Sequence, residues 1–388
     1  MRIAVIGGAG GMGRLTSTDA ARSPEVDEVV IVDRDLDGAQ ALASVLGEKA
    51  RVAAAGAGFA EAIDGCDAVV NAASHSLNLA VMRAALDVGV HYTDLGGLFH
   101  VALEQYSLDD DFRSAGLSAA ISMGSAPGVT NMLAAACAER LETVESIEIA
   151  DAIIPGREPD PTQPYVPPYA ASTLVDEFTM PAAVFLEGEM RMVPADTGGK
   201  VYEFPDAAVE CIYTIHSEPA TLSRSYADRG IRRVEWRLGL PPIDVLRLRS
   251  FIAGGLTSTE PVDVGGTPVV PREALIAVLM NQGGAEADPG MVEYLRVLVE
   301  GRRAGGEPAS LVAEMKVVAR EEWENDISYV TGVPPSVAAQ LLCRGVGLRT
   351  GVGGPEAMLP VEAFFGALRT RGLEASVEDA GTSTVLGA

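Results

Sequence analysis

Short, fully apolar runs alternate with amphipathic stretches through the first third of the chain. Residues 3–6 and 29–32 contain only apolar side chains, which is typical of strands buried on both faces of a parallel sheet. Residues 39–46 and 79–88 carry apolar side chains at helical spacing instead. The alternation predicts an α/β fold with a doubly wound parallel sheet of the Rossmann type. Further strands are predicted at residues 52–55, 67–73, 91–97 and 117–123, and the third of these runs into a glycine turn.

The pattern is different in the rest of the chain, whose total length of 388 residues suits two domains. Residues 155–168 contain six prolines and can form neither a helix nor a central strand, so they predict a linker or a loop at a cleft. The other predicted elements are a hairpin at residues 184–192, a strand at 200–204, a flexible loop at 301–306 and an amphipathic helix at 334–344.

The first predicted strand leads into a glycine-rich loop with the spacing GxGxxG at Gly8, Gly10 and Gly13. The first glycine permits a tight turn, the second lets the backbone approach a pyrophosphate, and the third lets the next helix pack close to the strand. Gly11 and Met12 open that helix, whose free amides and dipole attract phosphate. The loop therefore predicts that all five residues bind a dinucleotide.

Asp33 lies 20 residues beyond Gly13, at the end of the second predicted strand. A carboxylate at this position accepts hydrogen bonds from the adenosine ribose and repels a 2′-phosphate, which favours NAD(H) over NADP(H). Arg34 leaves NADP(H) open, because its guanidinium can pair with that phosphate or stack on adenine. FAD is a third option, but no further flavin-contacting segment is found.

The end of the strand at residues 67–73 predicts a second group of cofactor contacts. Ligands of Rossmann folds bind outside the carboxyl ends of the strands, where this strand turns. The alternative is that these residues only form the turn after the strand and do not contact the cofactor. The residues concerned are Asn71, Ala72, Ala73 and Ser74.

Charge and cysteine content argue against several other classes of function. The chain has 29 basic and 54 acidic residues, and its net charge of −25 disfavours binding to nucleic acid or to an anionic membrane. We expect no signal peptide and no membrane span. The cysteines are scattered and no histidine lies at metal-ligand spacing, so we expect neither disulfides nor a metal site. These features predict a soluble, cytoplasmic protein with a small-molecule partner.

Several motifs are more specific than the glycine loop. A strand ends in Tyr92-x-Asp94-Leu95, and residues 124–131 have the form G-x-x-P-G-x-T-N before a helix. Together with three later blocks, these motifs resemble the saccharopine dehydrogenase and lysine 6-dehydrogenase family over most of the chain, with little resemblance in residues 241–315. The later blocks are residues 176–182, 216–222 and 329–332.

The resemblance implies a domain organisation. A dinucleotide-binding Rossmann domain is expected at residues 1–140 and a mixed α/β substrate domain at residues 141–327. A C-terminal segment, residues 328–388, is expected to return to the Rossmann domain. A homodimer is the default expectation for such folds.

The resemblance also implies an activity. It implies oxidation of the CH–NH bond of an amino-acid substrate, with hydride transfer to a nicotinamide, or the reverse reductive coupling. Saccharopine-like substrates or lysine are the leading interpretation, and a carboxynorspermidine-type polyamine dehydrogenase is an alternative. A third hypothesis is a non-catalytic dinucleotide sensor, which would need the glycine loop but no general base.

The reaction requires a group that takes a proton from the substrate amine. Asp94, at the carboxyl end of its strand, is the first candidate, although aspartate also caps turns well. His216 with Glu218 is the second candidate, because two residues spaced by two on one strand would share a face.

A substrate carboxylate would require an arginine, and Arg224 is the best placed in the sequence. Ser125, Pro127 and Gly128 lie in a loop at a helix N-terminus and are expected to border the substrate or the nicotinamide. Asn131 either joins them or caps a helix beginning at Met132. Tyr169 is expected to line the pocket.

Overall fold

A computed structural model of the chain describes residues 1–55, 58–96, 98–281, 288 and 290–388. Gly97, in the predicted glycine turn, lies outside the described residues. The strands are β1 (Arg2–Ile6), β2 (Glu28–Asp33), β3 (Ala50–Ala54), β4 (Ala68–Asn71), β5 (His91–Asp94), β6 (Ser118–Ala120), β7 (Thr143–Ile154), β8 (Ala182–Leu186), β9 (Glu189–Val193), β10 (Thr197–Glu203), β11 (Ala208–Tyr213), β12 (Arg233–Gly239), β13 (Val262–Val264), β14 (Thr267–Val269), β15 (Val292–Arg302), β16 (Pro308–Val318), β17 (Gly351–Gly353), β18 (Ala375–Asp379) and β19 (Thr382–Val385).

The α-helices pack on both faces of the first, parallel sheet and on one face of the second, mixed sheet. They are α1 (Gly11–Arg22), α2 (Leu36–Leu46), α3 (Phe59–Ile63), α4 (Asn78–Val88), α5 (Phe99–Gln105), α6 (Asp109–Ser114), α7 (Val129–Ala138), α8 (Ala171–Thr179), α9 (Glu218–Ser225), α10 (Pro242–Ala253), α11 (Pro271–Asn281), α12 (Tyr329–Cys343), α13 (Pro355–Met358) and α14 (Val361–Arg369). No helix in the described part of the chain is both long and apolar enough to span a membrane.

Seven strands form a parallel sheet in the order β17-β6-β5-β4-β1-β2-β3. The apolar runs of β1, β2 and β4 are buried in it, which explains why they lack the alternation of a half-exposed strand. The direction of winding reverses between β1 and β4, which is the point where such sheets bind dinucleotides. The predicted doubly wound Rossmann fold is confirmed. β6 ends at Ala120, short of the predicted residue 123, because Ser122 turns the chain with φ of 64°.

Ten strands form a second, mixed sheet, with β10-β11-β12-β7-β15-β16-β18-β19 as its main order and β8 and β9 attached to β12. The second, mixed α/β layer is therefore also confirmed. The predicted hairpin is β8–β9, turning at Glu187 and Gly188, both with positive φ. The expected loop at 301–306 is shorter than predicted, because Gly301 and Arg302 still pair with β7 and β16.

The two sides of this sheet carry different side chains, because successive residues of a strand point to opposite faces. The side that bears Ile147 and Ile149 of β7 packs against α7, and we call it the inner face. We name the outer face the side that bears Glu148 and Ala150. Asp151 lies on the inner face, where it interrupts an otherwise apolar row.

The C-terminal part of the chain contributes to both sheets. Helix α12 packs against α1 and against β4 and β5, and β17 adds to the edge of the first sheet. The last two strands, β18 and β19, extend the second sheet from β16 instead. The division of the chain at residues 140 and 327 stays a prediction.

Candidate active site

The glycine loop has the shape that a dinucleotide pyrophosphate requires. A Cβ on Gly13 would lie 2.0 Å from the carbonyl oxygen of Gly7, so no side chain fits where α1 meets β1. A Cβ on Gly11 would meet nothing within 4 Å, so this side of the loop is open. Helix α1 follows Gly10 without a side-chain cap, and half-buried Met12 lies in its first turn. The residues fit an anionic ligand at the helix N-terminus.

Asp33 holds this loop from the end of β2. Its Oδ2 accepts a hydrogen bond from the amide of Ala9 at 3.0 Å, and its Oδ1 accepts one from the amide of Asp35 at 3.0 Å. Each oxygen keeps a second lone pair for a ribose hydroxyl. Arg34 follows directly and is exposed.

The end of β4 borders the same loop. A Cβ on Gly7 would lie 2.8 Å from the Cβ of Ala73, so these backbones are in close contact. Asn71 is buried and its amide donates to Asn78 at 2.7 Å, which fixes the turn rather than leaving the amide free. Ala72 is half-buried beside them, and Ser74 is exposed with its hydroxyl 2.9 Å from that of Ser76.

Asp94 ends β5 with both carboxylate oxygens occupied. Oδ1 accepts hydrogen bonds from the amides of Gly96 and Ser122, each at 2.8 Å. Oδ2 accepts from Gln105 at 2.6 Å and from the hydroxyl of Tyr92 at 2.9 Å. Burial raises the pKa of Asp94, against the effect of these four donors. The geometry favours the turn-capping interpretation over the role of general base.

His216 and Glu218 are in contact, but the prediction that they share a face of one strand was wrong. Strand β11 ends at Tyr213, and Glu218 opens α9, with Pro219 in the first turn fixing a helical φ. The His216 Nδ1 lies 2.5 Å from Oε2 of Glu218. The imidazole stacks on the indole of Trp236, with ring centroids 3.9 Å apart.

The other ring nitrogen of His216 points towards Glu177 of α8. Nε2 lies 3.8 Å from Oε1 of Glu177, which is longer than a hydrogen bond. The Tyr169 hydroxyl donates to the other oxygen of Glu177. Burial raises the pKa of Glu177 to about 7, despite the opposing charge of His216. Burial lowers the pKa of His216, but the adjacent Glu218 more than offsets this and the net direction is upward. His216 and Glu177 thus form a buried pair of titratable groups, which we call the His216–Glu177 pair.

The loop before α7 joins this cluster to both domains. Ser125 donates to Glu293 of β15 at 2.8 Å, and Thr130 donates to Glu218 at 3.0 Å. The ring of Pro127 packs on Gly96, where an added Cβ would lie 2.6 Å from Cγ.

Asn131 acts within the same loop as a capping residue. Its Oδ1 accepts from the amide of Gly128 at 3.1 Å, and its amide donates to Thr221 and Glu356. Helix α7 begins at Val129, three residues before the predicted start at Met132, because Asn131 caps from inside the first turn. The Asn131 side chain therefore links α7 to α9 and α13.

The structure does not bring Arg224 into the cluster. Arg224 is exposed near the end of α9, and its guanidinium lies 4.5 Å from the ring centroid of Tyr106. Glu218, at the start of the same helix, is buried beside His216. Two other predicted substrate contacts, Ser125 and Tyr169, donate hydrogen bonds to acids of the cluster, Glu293 and Glu177.

Sequence reasoning missed four residues that the fold brings to this place: Asp151, Glu177, Trp236 and Glu293. Asp151 and Glu293 lie on the inner face of neighbouring strands, in rows that otherwise carry Ile147, Ile149 and Val297. A lone acidic residue in an apolar row is the signal that a reading of the sequence can use.

The fold and the glycine loop define the class of protein, which is that of NAD(P)-dependent oxidoreductases. Residues 3–120 match the family model described as the saccharopine dehydrogenase NADP binding domain. Residues 124–373 match the model described as the saccharopine dehydrogenase C-terminal domain. The chain belongs to the saccharopine dehydrogenase family, as its motifs predicted.

Curated relatives and a solved structure agree with this assignment. A carboxynorspermidine synthase of Vibrio cholerae serotype O1 is 25% identical over 79% of this chain and 76% of its own. A carboxyaminopropylagmatine dehydrogenase of Synechocystis is 23% identical over 95% of this chain and 96% of its own. The apo saccharopine dehydrogenase (L-Glu forming) of Saccharomyces cerevisiae has the same fold, with a TM-score of 0.74, 14% identity, and coverage of 98% and 99% of the two chains.

Proposed function

We propose that this protein oxidises, or in reverse forms, the CH–NH bond of a carboxylated polyamine. The observation that carries the proposal is the buried cluster of His216, Glu218 and Glu177, which stacks on Trp236 and adjoins the first domain. The cluster is linked to that domain by the Ser217 hydroxyl, which donates to Ser122 at 3.1 Å, next to the end of β5. That end of the sheet is where a nicotinamide is expected in Rossmann enzymes.

The residues of the cluster supply what an amine oxidation needs besides the cofactor. When bound, NAD(P) takes up the hydride from the carbon next to nitrogen. A protonated amine cannot lose that hydride, so the amine must first give its proton to a base. The Nε2 atom of His216 has no partner at hydrogen-bond distance among the described residues, so it is available to a substrate nitrogen. Glu218 orients the ring from Nδ1, and Glu177 exchanges the proton at near-neutral pH.

The charge of the pocket supports a polyamine over lysine or saccharopine. The groups whose charge acts on buried Asp151 are Glu293, Glu218 and Glu177, all of them carboxyls. Two relatives carry the names carboxynorspermidine synthase and carboxyaminopropylagmatine dehydrogenase. A substrate with several amines suits such a pocket better than one with several carboxylates.

The preferred cofactor, the assembly and the location of the protein stay predictions. Asp33 supports NAD(H), whereas the name of the matched family domain refers to NADP. We retain the homodimer and the cytoplasm as predictions.

The test is the initial rate of NAD+ and NADP+ reduction at alkaline pH with carboxynorspermidine, saccharopine and lysine. We expect turnover of the carboxylated polyamine, and a kcat about 10² to 10⁴ lower in His216→Asn, the usual contribution of a positioned proton-transfer group. His100→Asn, in an exposed position of α5, is the matched control and should retain full activity. Cofactor binding without turnover of any amine would overturn the proposal in favour of a dinucleotide sensor.

A further inference from the structure

Two acidic side chains lie side by side on the inner face of the second sheet, next to the His216–Glu177 pair. Asp151 of β7 and Glu293 of β15 are each 7% exposed. Leu295 pairs with Asp151 in the ladder, so Glu293 is its diagonal neighbour on the same face. One oxygen of Glu293 accepts the hydrogen bond of Ser125 at 2.8 Å.

Polar atoms around this pair lack partners. The Oδ1 atom of Asp151 is buried and has no hydrogen bond among the described residues. The hydroxyl of Tyr165, which is 6% exposed, is likewise without a partner. Tyr165 comes from the proline-rich stretch, and the charges of Asp244 and Arg247 act on it more strongly than that of Glu177. The buried acceptor of Asp151 without a partner points to a ligand with hydrogen-bond donors.

The pair also lacks a positive charge. The groups whose charge acts on Asp151 are acidic. Besides burial, the hydrogen bond from the Ser125 hydroxyl acts on the pKa of Glu293. Desolvating a carboxylate is unfavourable unless a cation compensates. With no cation among the described residues, burial raises the pKa of Glu293 to about 7, and a cation from outside the chain would stabilise the charged form of the pair.

We propose that Asp151 and Glu293 form a subsite for a protonated amine of the substrate, separate from the nitrogen that reacts at His216. The inference rests on the proposed function and specifies the substrate. One amine loses its proton at His216, and a second keeps its charge between Asp151 and Glu293. An alkylammonium has three donors, two of which suit Asp151 Oδ1 and Glu293. The pair therefore selects substrates with a distal cation.

The test measures binding of norspermidine, an uncarboxylated triamine, to the NAD+-loaded protein by isothermal titration calorimetry. Asp151→Asn and Glu293→Gln remove one charge each and keep the shape of the side chain. We expect each to raise the Kd at least about tenfold, as truncating a buried ion-pair partner does. Glu148→Gln is the matched control, because Glu148 is equally buried on β7 but lies on the outer face. It should change the Kd less than twofold.

The outcomes separate this inference from the proposed function. A Kd unchanged in both inner-face variants, each folded by circular dichroism, would overturn the subsite even if the wild type oxidises a polyamine. Weakened binding in both variants would uphold the subsite even if no amine were turned over. A Kd raised equally in Glu148→Gln would show a general effect of net charge, which also overturns it. Norspermidine that fails to bind the wild type does the same.

Discussion

Buried acidic side chains on the two faces of the second sheet differ in whether they have cationic partners. On the outer face, Glu148 pairs with Lys200, and Glu235 pairs with both Arg233 and Arg237. On the inner face, Asp151, Glu177, Glu218 and Glu293 lie close to one another, and His216 is the one basic group in contact with them among the described residues. Both groups are buried against the same sheet, and Glu148 and Asp151 share β7, so the difference lies in the pairing of charges.

The comparison separates a stabilising use of buried acids from a functional one. A buried carboxylate with a buried arginine is satisfied once the chain has folded. A group of carboxyls without cations opposes folding, and the pKa of Glu177 and that of Glu293 both rise to about 7 because burial disfavours their charge. Perturbed pKa values of this kind cluster at functional sites. We infer that the inner face is arranged for a ligand and the outer face for the fold.

The largest effect is expected from breaking a pair on the outer face. Glu235→Gln removes the nearest carboxylate of the buried Arg237 guanidinium, which is 2.9 Å away in the wild type, and leaves only Glu148 at 3.8 Å among the described residues. Removing one member of a buried pair costs about 3 kcal/mol of the free energy of unfolding. Urea denaturation at pH 7.5 measures it, and a loss below about 1 kcal/mol would contradict the stabilising role of this face.

An inner-face variant should do the reverse, and only at high pH. The pKa of Glu293 is raised to about 7 from 4.5, so the folded state holds a proton that the unfolded state releases. Stability from this group is present below pH 4.5 and is lost as the pH rises to about 7. The groups around it are Asp151, Tyr329 and the Ser125 hydroxyl, none of them a cation.

Glu293→Gln should therefore stabilise the ligand-free protein by about 1 kcal/mol at pH 8 and have little effect at pH 5. Denaturant titrations at the two pH values measure the difference. Glu104→Gln, at an exposed position of α5, is a control for loss of one negative charge. A variant that is destabilised equally at both pH values would show that Glu293 supports the fold.

The sequence predicts the first domain far better than the second. Apolar runs and the glycine spacing are local, so β1, β2 and the loop to Gly13 follow from neighbouring residues. Asp33 could be assigned in the same way, because its distance from Gly13 follows from one βαβ unit.

The acidic cluster could not be predicted because it is assembled from distant segments. Asp151 and Glu293 meet through antiparallel pairing of β7 with β15, and nothing in either segment gives that register. His216 and Glu218 were identified, but their contact depends on the start of α9 rather than on a strand. The bonds that occupy Asp94 come from Gln105 and Ser122, which the sequence does not place beside it.

The smallest effect is expected from the outer-face control itself. In Glu148→Gln the carbonyl oxygen of the new amide still accepts the hydrogen bond of Tyr202, which is 2.8 Å long in the wild type. Lys200 is nearly half exposed, so water replaces much of the lost attraction. We expect a loss of about 1 kcal/mol or less, measured by urea denaturation, with unchanged norspermidine binding. Lys200→Gln should give a similar loss, because it breaks the same pair from the solvent side. A loss as large as that of Glu235→Gln would mean that burial of the carboxylate, rather than burial of its cationic partner, determines the loss of stability. Leaving Asp151 unpaired should then lower the free energy of unfolding as much as leaving Glu148 unpaired.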